Sequence, residues 1–405
     1  MLPLLLLATL SLYGADPSGP KLESDGWRLN AAIECGNAAN LSRAGTDHFA
    51  LAPREDPVPV DVQKTGPISN YVIHIEITNL QSAARTITVD VMIPEWLIRE
   101  KFDYFLRKPY LVRTPERLDY QLVPADRQTS LPDRVRIKID FAARERKILA
   151  TTAAYPYSVM RKRLREIAAN SRGKARVGEI GRSVEGRPVL SLETGNSARP
   201  RAIFMATLQP GEPSAWAILS MADAVTSKPE LARLLEEYDL AFLPMTNPDG
   251  VVHGSNNVNG KGEIVLVGFT HAIENKPGMH EAKVLWNYIS RKPPEILIDF
   301  HFLNLPNHPL PRPYVFDLTL YTDAARRSRT EDMLRRLESL SSAPKGPPIR
   351  RDHPLWQHLA TFHSIGKWNT IATLYQNTGP KTSHQQAEVR GVELMRVALD
   401  PKFSR

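Results

Sequence analysis

The hydrophobic period of this chain changes once, at Ala153–Ser158, and the change limits what can fold on either side of it. Before it, apolar residues recur at every second position. Tyr71, Ile73, Ile75 and Ile77 alternate with Val72, His74, Glu76 and Thr78. Ile87, Val89, Val91 and Ile93 share one face of a second run, and Val135, Ile137 and Ile139 alternate with Arg136, Lys138 and Asp140. Period-two patterning with Pro and Gly between the runs specifies antiparallel strands with one buried face. Residues 24–150 are expected to form a small antiparallel β-sandwich domain, with His74 on the exposed phase of its strand.

After the change, Val159, Met160, Leu164, Ile167 and Ala168 recur at helical spacing, with Ser158 placed to cap the helix. Strand-like runs follow at Ala202–Thr207, Leu240–Met245, Ile296–Phe300 and Ile371–Leu374. Between and after them, helix-like stretches lie at Ala215–Ala224, Glu230–Glu237, His280–Ser290, Glu331–Leu340 and Glu388–Leu399. Such alternation specifies an α/β domain over residues 153–400 with a largely parallel central sheet. The Pro-, Ser- and Arg-rich stretch Ser341–Pro354 reads as a surface loop. A chain of 405 residues, 42% hydrophobic and 24% charged, suffices for two such cores.

Residues 1–15, MLPLLLLATLSLYGA, read as a secretory signal, which implies a periplasmic or extracellular location. The run Leu2–Tyr13 is short of the ~20 residues a bilayer span needs, and Gly14 and Ala15 suit a cleavage site. An uncleaved N-terminal anchor is the alternative, and no stable membrane insertion is expected beyond it. The formal net charge of +8 is scattered, and its densest cluster, Arg161-Lys162-Arg163 with Arg165, reads as a solvated helix face. No nucleic-acid partner is expected. The single cysteine, Cys35, excludes an intramolecular disulfide and any Cys-based zinc cluster, and reads as a small buried apolar residue.

Six segments occur in a telling order: Tyr155-Pro156-Tyr157-Ser158, the turn Ile180–Pro188 (IGRSVEGRP), Gln209-Pro210-Gly211-Glu212, Asn247–Val251 (NPDGV), Glu281-Ala282-Lys283 and Ile298-Asp299-Phe300-His301. Together they resemble the zinc carboxypeptidases, especially their cytosolic-carboxypeptidase-like branch, over roughly residues 150–400. The resemblance implies a mixed, largely parallel sheet with helices on both faces, preceded by an N-terminal β domain. It also implies zinc as cofactor and a peptide or small amide-containing substrate.

In that family the zinc ligands are the His and Glu of an HxxE motif and a later His at a strand end. Glu212 and His301 stand at two of these positions and Gln209 at the third. An amide oxygen is a poorer zinc donor than imidazole, thiolate or carboxylate. Three arrangements fit the sequence. Glu212 and His301 hold a weakened zinc with Gln209 or a water; or one of His253, His271, His280 and His308 replaces the lost ligand; or the pocket is metal-free.

Two further departures accompany the first. The family's general base is a glutamate on the final strand, whereas Ala372–Gly379 offers only Tyr375 and Gln376, and the next carboxylate, Glu388, falls in the expected last helix. Neither residue takes a proton from water at neutral pH, the Tyr reference pKa being about 10; both can hydrogen-bond a ligand or cap the strand. The family also grips the substrate's terminal carboxylate with arginines, and residues 251–262 contain none. Asn256, Asn257 and Lys261 are the substrate-binding candidates there, though the asparagines equally suit turns. Arg182 and Arg187 read as structural. The chain is thus expected to be a metallocarboxypeptidase-like protein, either a hydrolase of peptide or amide bonds with a rearranged site, or a non-catalytic binder of peptides or cell-wall fragments.

Overall fold

The computed structural model describes residues 19–56, 70–99, 101, 103–212, 214–303, 312–314, 316–340, 354–378 and 384–399. The leader at 1–15, His308 and residues 341–353 lie outside them.

Residues 21–150 build two sheets. The six-stranded sheet runs Lys21–Ser24, Trp27–Asn30, His74–Asn79, Arg146–Ala150, Leu111–Arg113, Gln121–Leu122. The five-stranded one runs Ala39–Gly45, His48–Ala52, Arg85–Met92, Arg134–Phe141, Gln128–Ser130. Their pairings are antiparallel except for His48–Ala52 against Arg85–Met92, which is parallel. The alternating apolar faces meet as expected: Ile73, Ile75 and Ile77 pack with Ile87, Val89, Val91, Ile137 and Ile139 around Trp27 and Phe49. Each such side chain contributes about 1.5–3 kcal/mol on burial.

His74 departs from its pattern. It is buried rather than exposed, because the outer face of its strand is also covered: Val72 and Thr78 are buried, and the Tyr120 hydroxyl lies 3.1 Å from His74 Nε2. Burial, with Arg113 nearby, pushes this imidazole down to about 3, so it is neutral at pH 7.

Helix α1 (Tyr157–Asn170) starts one residue before Ser158, with Pro156 at the cap position. Ser158 sits in the first turn, where its amide and hydroxyl donate to the Glu34 carboxylate. Seven strands form the central sheet: β1 (Arg176–Arg182), β2 (Pro188–Glu193), β3 (Arg201–Ala206), β4 (Asp239–Leu243), β5 (Ile296–Leu303), β6 (Arg312–Tyr314) and β7 (Ile371–Thr378). Their order is β1-β2-β4-β3-β5-β7-β6. The pairings among β4, β3, β5 and β7 are parallel, and the outer ones are antiparallel. Helices α1, α2 (Ala215–Ser227), α4 (Ala324–Ser339) and α6 (His384–Leu399) cover one face. Helices α3 (His280–Arg291) and α5 (Ala360–Trp368) cover the other. Loops leaving the carboxyl ends of the parallel strands frame the crevice in which open α/β sheets bind ligands.

Candidate active site

The loop after β3 carries Gln209 and Glu212. Gly211 is required between them, because a Cβ there would stand 2.1 Å from Asn256 Oδ1 and 3.0 Å from its Cα. His301 lies two residues before the end of β5, directly opposite Gln376 of β7 in register. Strand alternation puts Ile298 and Phe300 in one core and Leu297 in the other, so Asp299 and His301 share the second face.

Both nitrogens of the buried His301 ring are engaged. Nε2 lies 3.1 Å from Asp299 Oδ2, while Nδ1 lies 2.9 Å from Glu212 Oε2 and 3.0 Å from Gln209 Oε1. Glu212 Oε2 also accepts the Phe302 amide at 2.8 Å. Gln209 is oriented from behind, its Nε2 donating to Asn257 Oδ1 at 2.8 Å. A Gln oxygen only accepts, so His301 Nδ1 carries the proton of this contact. Burial by itself would push the imidazole down, but the Asp299 and Glu212 carboxylates outweigh it and hold it up at about 10.

The other predicted residues divide. Asn256 and Asn257 are buried beside Gln209, and their amides donate to the Asp56 carboxylate of the sandwich. Gln376 shares His301's face of the sheet. Tyr375 does not join the cluster: it is fully buried against Phe300, ring centroids 5.9 Å apart, and burial pushes its hydroxyl up to about 12. Lys261 is exposed, and its backbone amide is used by Asn259. Three of the histidines considered as replacement ligands lie elsewhere. His253 pairs with Glu185 at 2.8 Å, His271 sits in the short helix Phe269–Ile273, and the exposed His280 contacts the Arg182 carbonyl at 3.0 Å.

The motif turns lock one another. Asp249 of NPDGV accepts from Ser183 Oγ at 2.6 Å, the Glu185 amide at 2.9 Å and Arg187 Nη1 at 2.7 Å. Arg187 also pairs with Glu185. Arg182 is exposed and bonds the Gly186 carbonyl at 3.0 Å, so both arginines hold the turn.

Sequence reasoning missed three contributors. Asp299 lay inside a quoted motif and alternates onto the His301 face. Asp56 and Lys108 come from the sandwich and carry no sequence signal. Lys108 is buried with its Nζ 5.4 Å from the Tyr71 ring and 5.1 Å from that of Phe105. Burial pushes its ammonium down to about 7, against an upward pull from Glu212.

The family model described as zinc carboxypeptidase matches residues 160–276. Cytosolic carboxypeptidase 4 of Mus musculus and that of Homo sapiens are each 31% identical over 108 residues, 25% of this chain and 10% of theirs. The chain thus spans about a tenth of the length of the curated relatives it matches. A metallo-carboxypeptidase from Burkholderia cenocepacia superposes with a TM-score of 0.73 at 15% identity, over 92% of this chain and 97% of that one. The metallo-carboxypeptidase from Pseudomonas aeruginosa, solved with (2-guanidinoethylmercapto)succinic acid, gives 0.74 at 16% identity, over 93% and 100%. This is the zinc-carboxypeptidase fold.

A catalytic zinc takes three protein donors from imidazole, thiolate or carboxylate and keeps one open position. The zinc-carboxypeptidase cleft of this chain offers Glu212 and His301, with a neutral amide as the third group. Among the described residues no group of three or more His, Cys, Asp or Glu is arranged to hold a metal. The amide oxygen of Gln209, at 3.0 Å from His301 Nδ1, is the side-chain group that the cleft brings to this pair besides Asp299, and an amide is a poor zinc donor. These residues do not fit a catalytic zinc.

Proposed function

We propose that this protein binds peptide or amide-containing ligands, cell-wall fragments among them, in a zinc-carboxypeptidase cleft without hydrolysing them at enzymatic rates. The observation that carries this reading is the Gln209–His301 contact. Asn257 fixes the Gln209 amide so that its oxygen faces His301, and a neutral amide, a poor zinc donor, stands where a third ligand would be needed. Gln376 supports the reading from the other side. It shares His301's face of the sheet at the end of β7, where a general base would contribute about 10²–10⁴ in rate, and it is no base at neutral pH. The apolar leader supports an exported protein that meets its ligand in the periplasm or outside the cell.

The rival reading is a hydrolase with a weakened zinc site, favoured by the convergence of Glu212 and His301 at 2.9 Å. Calorimetric titration with peptides bearing free and amidated C-termini, with chromatographic detection of products, separates the two. Saturable binding with intact ligand is the expected outcome. Product formation that disappears in Glu212→Ala would establish the hydrolase instead.

A further inference from the structure

The loop Val252–Asn257, which carries two of the substrate-binding candidates, is held from the sandwich. The Cys35 amide donates to the Val252 carbonyl at 3.2 Å, and Asn37 Nδ2 donates to the Gly254 carbonyl at 2.8 Å. Gly254 has φ +63°, and a Cβ there would lie 2.5 Å from the Gly36 carbonyl oxygen, so glycine alone allows this approach. Asp56, 3% exposed, joins the same contact. Its Oδ2 accepts the Asn257 amide at 2.8 Å and the Asn256 amide at 3.0 Å, and its Oδ1 accepts Asn70 Nδ2 at 2.6 Å.

Two successive backbone amides aimed at one carboxylate form an anion-binding concavity, and hydrogen bonds to an ionised acceptor are roughly twice as strong as neutral ones. Without that carboxylate both amides would be buried with no acceptor, and the loop would have to turn to satisfy them. The turn would not stay local. Asn257 Oδ1 holds Gln209 Nε2, and Gln209 Oε1 holds His301 Nδ1. We infer that Asp56 is a positioning residue of the cleft: it fixes Asn257 and, through Gln209, sets the hydrogen bond of His301. The inference stands whether the cleft binds or hydrolyses.

The test reads His301 directly in the full chain. Histidine labelled with ¹⁵N in the ring gives one Nδ1 and one Nε2 resonance per residue, and His301→Gln assigns the pair of interest. Gln209→Ala sets the size of the shift that follows loss of the acceptor. Asp56→Ala, which removes the acceptor of both amides, is expected to move the His301 Nδ1 resonance in the same direction by at least half that amount, while those of His271 and His280 stay in place. Ile137→Val, in the sandwich core away from this chain of contacts, is expected to leave His301 unmoved. If Asp56→Ala does not fold, Asn70→Ala removes the 2.6 Å anchor and is expected to give a smaller shift of the same sign. An unmoved His301 in the folded variant, or equal movement of all the histidines, would overturn the inference and leave Asp56 a stabilising contact only.

Discussion

Two buried ionic clusters stand in the same ring of loops, and they share a composition. Around Asp249, one cation, Arg187, meets two carboxylates, those of Asp249 and Glu185, with His253 at the edge. Around His301, one imidazole meets two carboxylates, those of Glu212 and Asp299, with Gln209 at the edge. The first keeps the residues of its motifs and the second has lost one. Arg187 is charged whatever surrounds it, and removing any member leaves a buried charge without its partner. His301 is charged because its carboxylates make it so, and a neutral amide at the edge of the cluster still finds a partner on each side. Folding therefore constrains every member of the first cluster, whereas in the second the Gln209 position at the edge is free of that demand.

The largest effect that could break this comparison is a gain of turnover. Gln209→His restores an imidazole donor, and adding Gln376→Glu places a carboxylate on the His301 face of β7. The double variant with zinc is expected to hydrolyse a peptide about 10²–10⁴-fold faster than Gln209→His alone. Equal rates would mean that position 376 does not stand where a base acts.

Next comes the contrast between His301 and the buried imidazole of His74, beside which no carboxylate stands among the described residues. Its folded pKa of about 3 lies below the ordinary 6.5, so its contribution is full above pH 6.5 and is lost as pH falls from 6.5 towards 3. Urea midpoints across that window should fall by the equivalent of at most about 4–5 kcal/mol. The His74→Gln variant should lose less. An unchanged slope would deny that burial controls this ring.

Arg187→Met should cost about 3–5 kcal/mol in urea unfolding, since it strands Asp249 and Glu185. Gln209→Ala should cost only about 1 kcal/mol, the worth of an ordinary hydrogen bond. Similar costs for the two would erase the distinction between the clusters.

How much of this was legible in sequence follows from which forces are local. Alternation disclosed the Ile75, Val89 and Ile137 core because both faces of that sandwich obey the period-two rule. His74 misled because its outer face is covered by the distant segment around Tyr120, which no local period records. The motifs brought Gln209, Glu212 and His301 to one cleft, and the altered residue types were plain from the chain alone. The seating of Tyr375 was not, since only the pairing of β7 with β5 decides which of Tyr375 and Gln376 faces the site. Asp56 and Lys108 reach the cleft from the sandwich, through a packing of two units that neither pattern encodes.

Metal content tests the account most directly. Protein purified without chelator, equilibrated with one molar equivalent of zinc at pH 7 and desalted, is predicted to retain far less than one zinc per chain, with Gln209→His retaining close to one. Stoichiometric zinc in the unaltered chain, lost in Glu212→Ala and in His301→Gln, would contradict the claim that this donor set does not hold a catalytic zinc.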